Sequence, residues 1–193
     1  MAGPMLIDTH MHIYKTREEG FAEKAGGYVV WEYGEKPDLR MSHFGGNLED
    51  ALEAIEDGGF SRAVVTNLFK AGRSGGPETD LAERLREFNR SACDLAAPYP
   101  QLVPFVAADP TALPGSKGAA HLRDMVENHG ARGIKLHPIV QEFFMGDRRM
   151  WPIYEACQEL GVAVVAHSGP ARGEEQYAEP RALSPRCSGR SPG

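Results

Sequence analysis

Cysteine is scarce in this chain. There are three among 193 residues, and no two form a CxxC pair. Cys93, Cys157 and Cys187 are odd in number and widely spaced, which argues against a disulfide framework and for a reduced compartment, the cytoplasm. Long apolar runs are also missing, because charges interrupt every hydrophobic stretch short of the roughly 18 residues a membrane span needs. No basic region followed by an apolar stretch marks a secretory leader. Basic charge is in deficit: 21 Lys and Arg face 27 Asp and Glu, for a net charge of -6. A nucleic-acid or anionic-membrane partner held by a basic surface is therefore not expected. The Gly-rich stretch Gly72–Gly76 lacks a following Gly-Lys-Ser/Thr, so it is not a phosphate loop. What remains is ordinary globular composition, 41% hydrophobic and 25% charged, with length enough for one domain with a sizeable core.

Short apolar runs alternate with amphipathic stretches. Met5–Ile7 leads into Asp8-Thr9-His10 and then into an irregular aromatic segment containing Tyr28, Trp31, Tyr33, His43 and Phe44. Leu48, Leu52 and Ile55 recur at helical spacing, with Asn47 as N-cap and Gly58-Gly59 as the stop. Further helices are expected over 78–97, 118–128 and 150–160. Strands are expected over 62–68, 102–107 (interrupted by Pro104), 131–137 and 162–167, the last being the most apolar. Five nearly continuous apolar strands alternating with helices indicate parallel β/α units, with both sheet faces covered.

Three motifs carry chemistry. In Ile7-Asp8-Thr9-His10-Met11-His12, extended backbone turns His10 and His12 the same way. Two imidazoles so placed can reach one divalent ion such as zinc, and the motif ends a first strand, where parallel β/α folds place their sites. A solvated surface pair is the ordinary alternative. His167 closes Val162-Ala-Val-Val-Ala-His167 at the matching strand end, where a carbonyl-bonded core histidine is the alternative. In Gly133-Ile-Lys135-Leu-His137-Pro138, Lys135 and His137 share one face and Ile134 and Leu136 the other. Burying a lysine is costly, so Lys135 either points into a polar site or pairs structurally with an acid such as Asp8. His137 is placed to bind a substrate carboxylate or to orient a metal-bound water. His121 and His129 lie on an amphipathic helix and read as solvated.

Taken in order, IDTHMHIY, GIKLHP and VVAHSGP resemble the amidohydrolase superfamily, specifically its amidohydrolase-related branch of aminocarboxymuconate-semialdehyde decarboxylase-like enzymes. The resemblance implies an α/β fold, a partial (β/α)8 TIM barrel with about five parallel strands over residues 1–180. An out-of-pattern, disordered tail over 181–193 follows. It implies His10, His12 and His167 as ligands of zinc or another divalent metal, and the strand motif adds Lys135 and His137 as the expected catalytic residues. The implied activity is metal-dependent hydrolysis, a metal-bound water attacking a small carboxylated or cyclic substrate. The alternatives are an inactive truncated barrel with residual metal binding, or a metal-dependent decarboxylase. The family's sixth-strand His and eighth-strand Asp have no counterpart after His167, where only Glu174, Glu175 and Glu179 remain as acids. The expected partner is a small-molecule substrate, with self-association through open sheet edges as a further expectation.

Overall fold

The structure, a computed structural model, describes residues 5–23, 46–70 and 78–168. The chain divides after Val65 into two compact units. The aromatic segment with His43, the stretch Gly72–Gly76 and the tail 181–193 lie outside the described residues. Among the described residues no helix is long and apolar enough to cross a membrane.

The first unit contains β1 (Ile7–Met11), α1 (Arg17–Glu23), α2 (Leu48–Asp57) and β2 (Arg62–Val65). The helix α2 begins where the sequence places its cap, since the Asn47 side chain accepts the Asp50 amide at 3.1 Å. Asp50 is itself buried; one carboxylate oxygen accepts from Gly46 N at 2.9 Å and the other meets Arg17 at 2.7 Å. This cluster fixes the entry to α2, whose Ala51 and Ile55 are buried, as are Ala63 and Val65 of β2. The strands β1 and β2 are parallel, with Ile7 opposite Arg62 and Asp8 opposite Ala63. The register then shifts before Met11 meets Val65, so a bulge falls on Thr9-His10. A bulge re-aims the side chains it carries, and bulges are common beside functional sites.

The second unit runs α3 (Glu78–Ala96), β3 (Leu102–Ala107), α4 (Ser116–His129), β4 (Gly133–Leu136), α5 (Pro138–Gln141), a 3-10 turn (Arg148–Met150), α6 (Trp151–Leu160) and β5 (Ala163–Ala166). The strand β4 pairs in parallel with β3 on one side and β5 on the other. Val106, Ile134 and Leu136 pack with Leu122, Met125, Met150 and Ile153 into the main core cluster. Burying such aliphatic side chains contributes about 1.5–3 kcal/mol apiece and is the principal force holding this sheet to its helices. Cys93 and Cys157 belong to the same cluster, and burial pushes both thiol pKa values up to about 11, which favours the protonated form.

Two expectations need correction. Pro104 does not interrupt β3, which is continuous over Leu102–Ala107. The proline ring suits extended backbone, and the Pro104 carbonyl accepts from Arg132 N at 2.9 Å. The expected cover of both sheet faces does not extend to β5, the most apolar strand in composition: Ala163, Val164 and Ala166 are exposed, Val164 at 40%. Composition records what a strand is suited to bury against, and among the described residues β5 is covered far less than β4.

Candidate metal centre

His10 and His12 are brought together at the carboxyl end of β1. Their Nε2 atoms lie 3.2 Å apart, and the rings meet edge-on with centroids 4.9 Å apart. Asp8 Oδ1 accepts the His10 amide at 2.9 Å, which holds the backbone through the bulge. Two nitrogens 3.2 Å apart, each about 2.1 Å from one ion, subtend roughly 100° at it. That is close to the bite of adjacent ligands in a tetrahedral or octahedral shell, so the pair fits a single divalent ion. Both rings are at least partly open to solvent, as a site admitting substrate requires.

In the second unit, His137 and His167 are brought together. Their rings stack nearly parallel, 8° apart in plane with centroids at 4.1 Å. His167 is held by its amide, which donates to the Leu136 carbonyl at 3.0 Å and extends the β4–β5 ladder past the strand end. His137 caps α5, its Nδ1 accepting the Val140 amide at 3.4 Å. A neutral ring accepting at Nδ1 carries its proton on Nε2. Among the described residues there is no cluster of three or more His, Cys, Asp or Glu side chains able to hold a metal. The geometry therefore supplies two histidine pairs.

Lys135 is 2% exposed and has no hydrogen-bond or ion-pair partner among the described residues. Burial alone pulls the Lys135 ammonium below the ordinary lysine range, with no acid opposing it.

Two buried polar residues that matter here are absent from the sequence-derived site. Asp109, 1% exposed, accepts the amides of Thr111 and Ala112 at 2.8 and 3.1 Å through Oδ1. Its Oδ2 takes Gln141 Nε2 at 3.4 Å, and burial raises its carboxyl pKa against these donors. Gln141 also donates to the Ala108 carbonyl at 3.0 Å and accepts the His137 amide at 2.7 Å. Through Gln141, the end of β3 is tied to the backbone of His137. Asp109 follows an apolar strand directly, the same positional signal that singled out His10 and His167. His121 corrects a second expectation. It is half-buried, with Nε2 3.0 Å from the Asn89 amide nitrogen, because α4 packs that face toward α3.

The model of a family described as Amidohydrolase matches residues 7–189. No curated protein sequence matches the chain. Among solved structures, 5-carboxyvanillate decarboxylase from Novosphingobium aromaticivorans, complexed with manganese, is similar at TM-score 0.64 and 16% identity, covering 94% of this chain and 54% of that one. Dihydroxybenzoic acid decarboxylase from Polaromonas sp. JS666, also with bound manganese, is similar at TM-score 0.60 and 18% identity, covering 91% and 52%. An uncharacterized TIM-barrel protein from Bordetella bronchiseptica is similar at TM-score 0.64 and 17% identity, covering 93% and 61%. At these identities the likeness shows the fold: α/β, with five parallel strands of a partial TIM barrel. The chain spans little more than half the length of the structures it matches.

Proposed function

The chain belongs to the amidohydrolase family, and from that premise we propose that it carries part of a metal-dependent decarboxylase acting on a small carboxylated ring. The observation that carries this reading is the His10–His12 pair, with Nε2 atoms 3.2 Å apart on the bulged end of β1. The two manganese-bound structures it resembles are both decarboxylases, which favours carbon–carbon cleavage over the hydrolysis that the sequence motifs put first. Manganese in those structures supports a divalent ion without favouring zinc.

His10 and His12 would hold the ion. When bound, a divalent ion supplies positive charge that polarises substrate oxygens. The remaining roles fall to protein side chains. In the second unit, Lys135 and His137 are the catalytic candidates, and Gln141 fixes the His137 backbone. In the reaction the bond from ring carbon to carboxylate breaks. Its electron pair stays on the ring carbon, which takes up a proton as carbon dioxide departs.

The test is incubation of the manganese-loaded chain with dihydroxybenzoates, following carbon dioxide release and the decarboxylated phenol by chromatography. Conversion that disappears with a chelator and returns with manganese is the expected result. Turnover of amides or lactones, with no carbon dioxide from any aromatic acid, would restore the hydrolase reading.

A further inference from the structure

Gln141 lies buried on α5, and both polar atoms of its side-chain amide are engaged. The nitrogen donates to the Ala108 carbonyl at 3.0 Å and to Asp109 Oδ2 at 3.4 Å, and the oxygen accepts the His137 amide at 2.7 Å. Turning the amide over would set its oxygen against the Ala108 carbonyl and the Asp109 carboxylate, and its NH2 against the His137 N–H. Three favourable contacts would become three repulsive ones, so the amide is held in one sense. Asp109 makes that sense depend on charge. It is buried, and the groups that meet its carboxylate all donate: Thr111 N and Ala112 N at Oδ1, Gln141 Nε2 at Oδ2. Arg149 adds a favourable charge from further off. Such a set is satisfied by an acceptor at both oxygens, which an ionised carboxyl supplies and a side-chain amide of the same size does not. A chain of hydrogen bonds therefore runs from the end of β3 to the backbone of His137, whose ring stacks on His167.

We propose that Asp109 is a positioning residue for the site at the end of β4: its carboxylate sets the sense of the Gln141 amide, and that amide sets the backbone of His137 and so the seat of its ring against His167. This rests on the decarboxylase reading only for the reaction that His137 serves. Asp109 touches no substrate in this role and acts through Gln141. Asp109→Asn reverses polarity at one atom while keeping the volume. With its oxygen kept on Thr111 and Ala112, the new NH2 meets the Gln141 NH2, donor against donor. The opposite orientation would sacrifice bonds of 2.8 and 3.1 Å to save one of 3.4 Å, so the first prevails and Gln141 loosens.

The test is amide hydrogen exchange of the full chain, followed residue by residue by NMR. In Asp109→Asn the His137 amide is expected to exchange about tenfold faster relative to the amides of β4, the scale of losing one net hydrogen bond. Gln141→Met, which removes the amide at similar volume, is expected to do the same, and it tests the link to His137 even if Asp109→Asn fails to fold. Because Asp109 acts through Gln141, adding Asp109→Asn to Gln141→Met is expected to change the His137 rate by about twofold or less. His137 exchange unaltered by either single substitution overturns the proposal. So does an acceleration shared equally by the amides of β4, which marks general destabilisation, and so does full additivity in the double variant. Carbon dioxide release from dihydroxybenzoates is measured separately on the manganese-loaded chains. A chain whose His137 amide responds to Asp109→Asn but which releases no carbon dioxide keeps the positioning role and loses the decarboxylase reading. A chain that releases carbon dioxide with its His137 amide indifferent to Asp109 does the reverse.

Discussion

Asn89 donates to the Ala107 carbonyl at 2.9 Å and accepts the Ala107 amide at 2.8 Å, so one buried side chain satisfies both backbone groups at the end of β3. Its remaining N–H faces His121 Nε2, which must accept and therefore stay unprotonated. Burial, with Arg86 next in effect, holds the His121 pKa down to about 4 from its ordinary 6.5. Arg90 and His129 add to this, and Asp124 opposes it. Between those values the unfolded chain binds more protons than the folded one. The stabilisation is thus complete above pH 6.5 and is lost as pH falls toward about 4. Urea midpoints at pH 7 and pH 5 check this: the parent chain should lose stability over that interval, and His121→Gln should lose clearly less. Equal losses would remove His121 from the account. None of this was legible in the residues themselves, because a histidine on an amphipathic helix reads as solvated until a facing helix closes over it. Lys135 was legible for the opposite reason, since a lysine inside an apolar strand conflicts with its surroundings wherever it points.

Elements were easier to read than contacts. The start of α2 follows from Asn47, whose side chain completes the first turn, and the end of α4 from Gly130, which takes the left-handed conformation at φ 79. Short elements escaped: α1 and α5 are too brief to show a periodicity, and α5 is set by Pro138 and the His137 cap instead. The closeness of strands in β3–β4–β5 was equally hidden. At Gly133 a Cβ would lie 2.4 Å from the Phe105 ring and 2.6 Å from the Ala163 carbonyl oxygen, so the neighbouring strands both depend on a hydrogen there. Gly133→Ala is expected to destabilise the second unit by about 1–3 kcal/mol, the range for overpacking a close-packed interior. Chemical denaturation followed by circular dichroism would show the lower midpoint, and an unchanged midpoint would mean that β3 and β5 yield easily. The exposure of β5 was not legible because an apolar run states a preference for cover and not whether cover is present.

For the whole molecule, the order of three motifs along alternating strands and helices was sufficient to reach the family, and the match over residues 7–189 bears this out. The chemistry was less legible. Hydrolysis and decarboxylation share the same metal-binding motif, and the histidines specify an ion more strongly than a bond to be broken. Decarboxylation is the proposed reading, and the two histidine pairs supply the local geometry. The central claim is that His10 and His12 hold a divalent ion, and metal analysis of the purified chain tests it most directly. Dialysed against manganese or zinc and then freed of excess, the parent chain should retain about one equivalent. The doubly substituted His10→Ala, His12→Ala chain should retain almost none while keeping its circular dichroism spectrum. Equal metal in both chains, or none in either, would contradict the assignment.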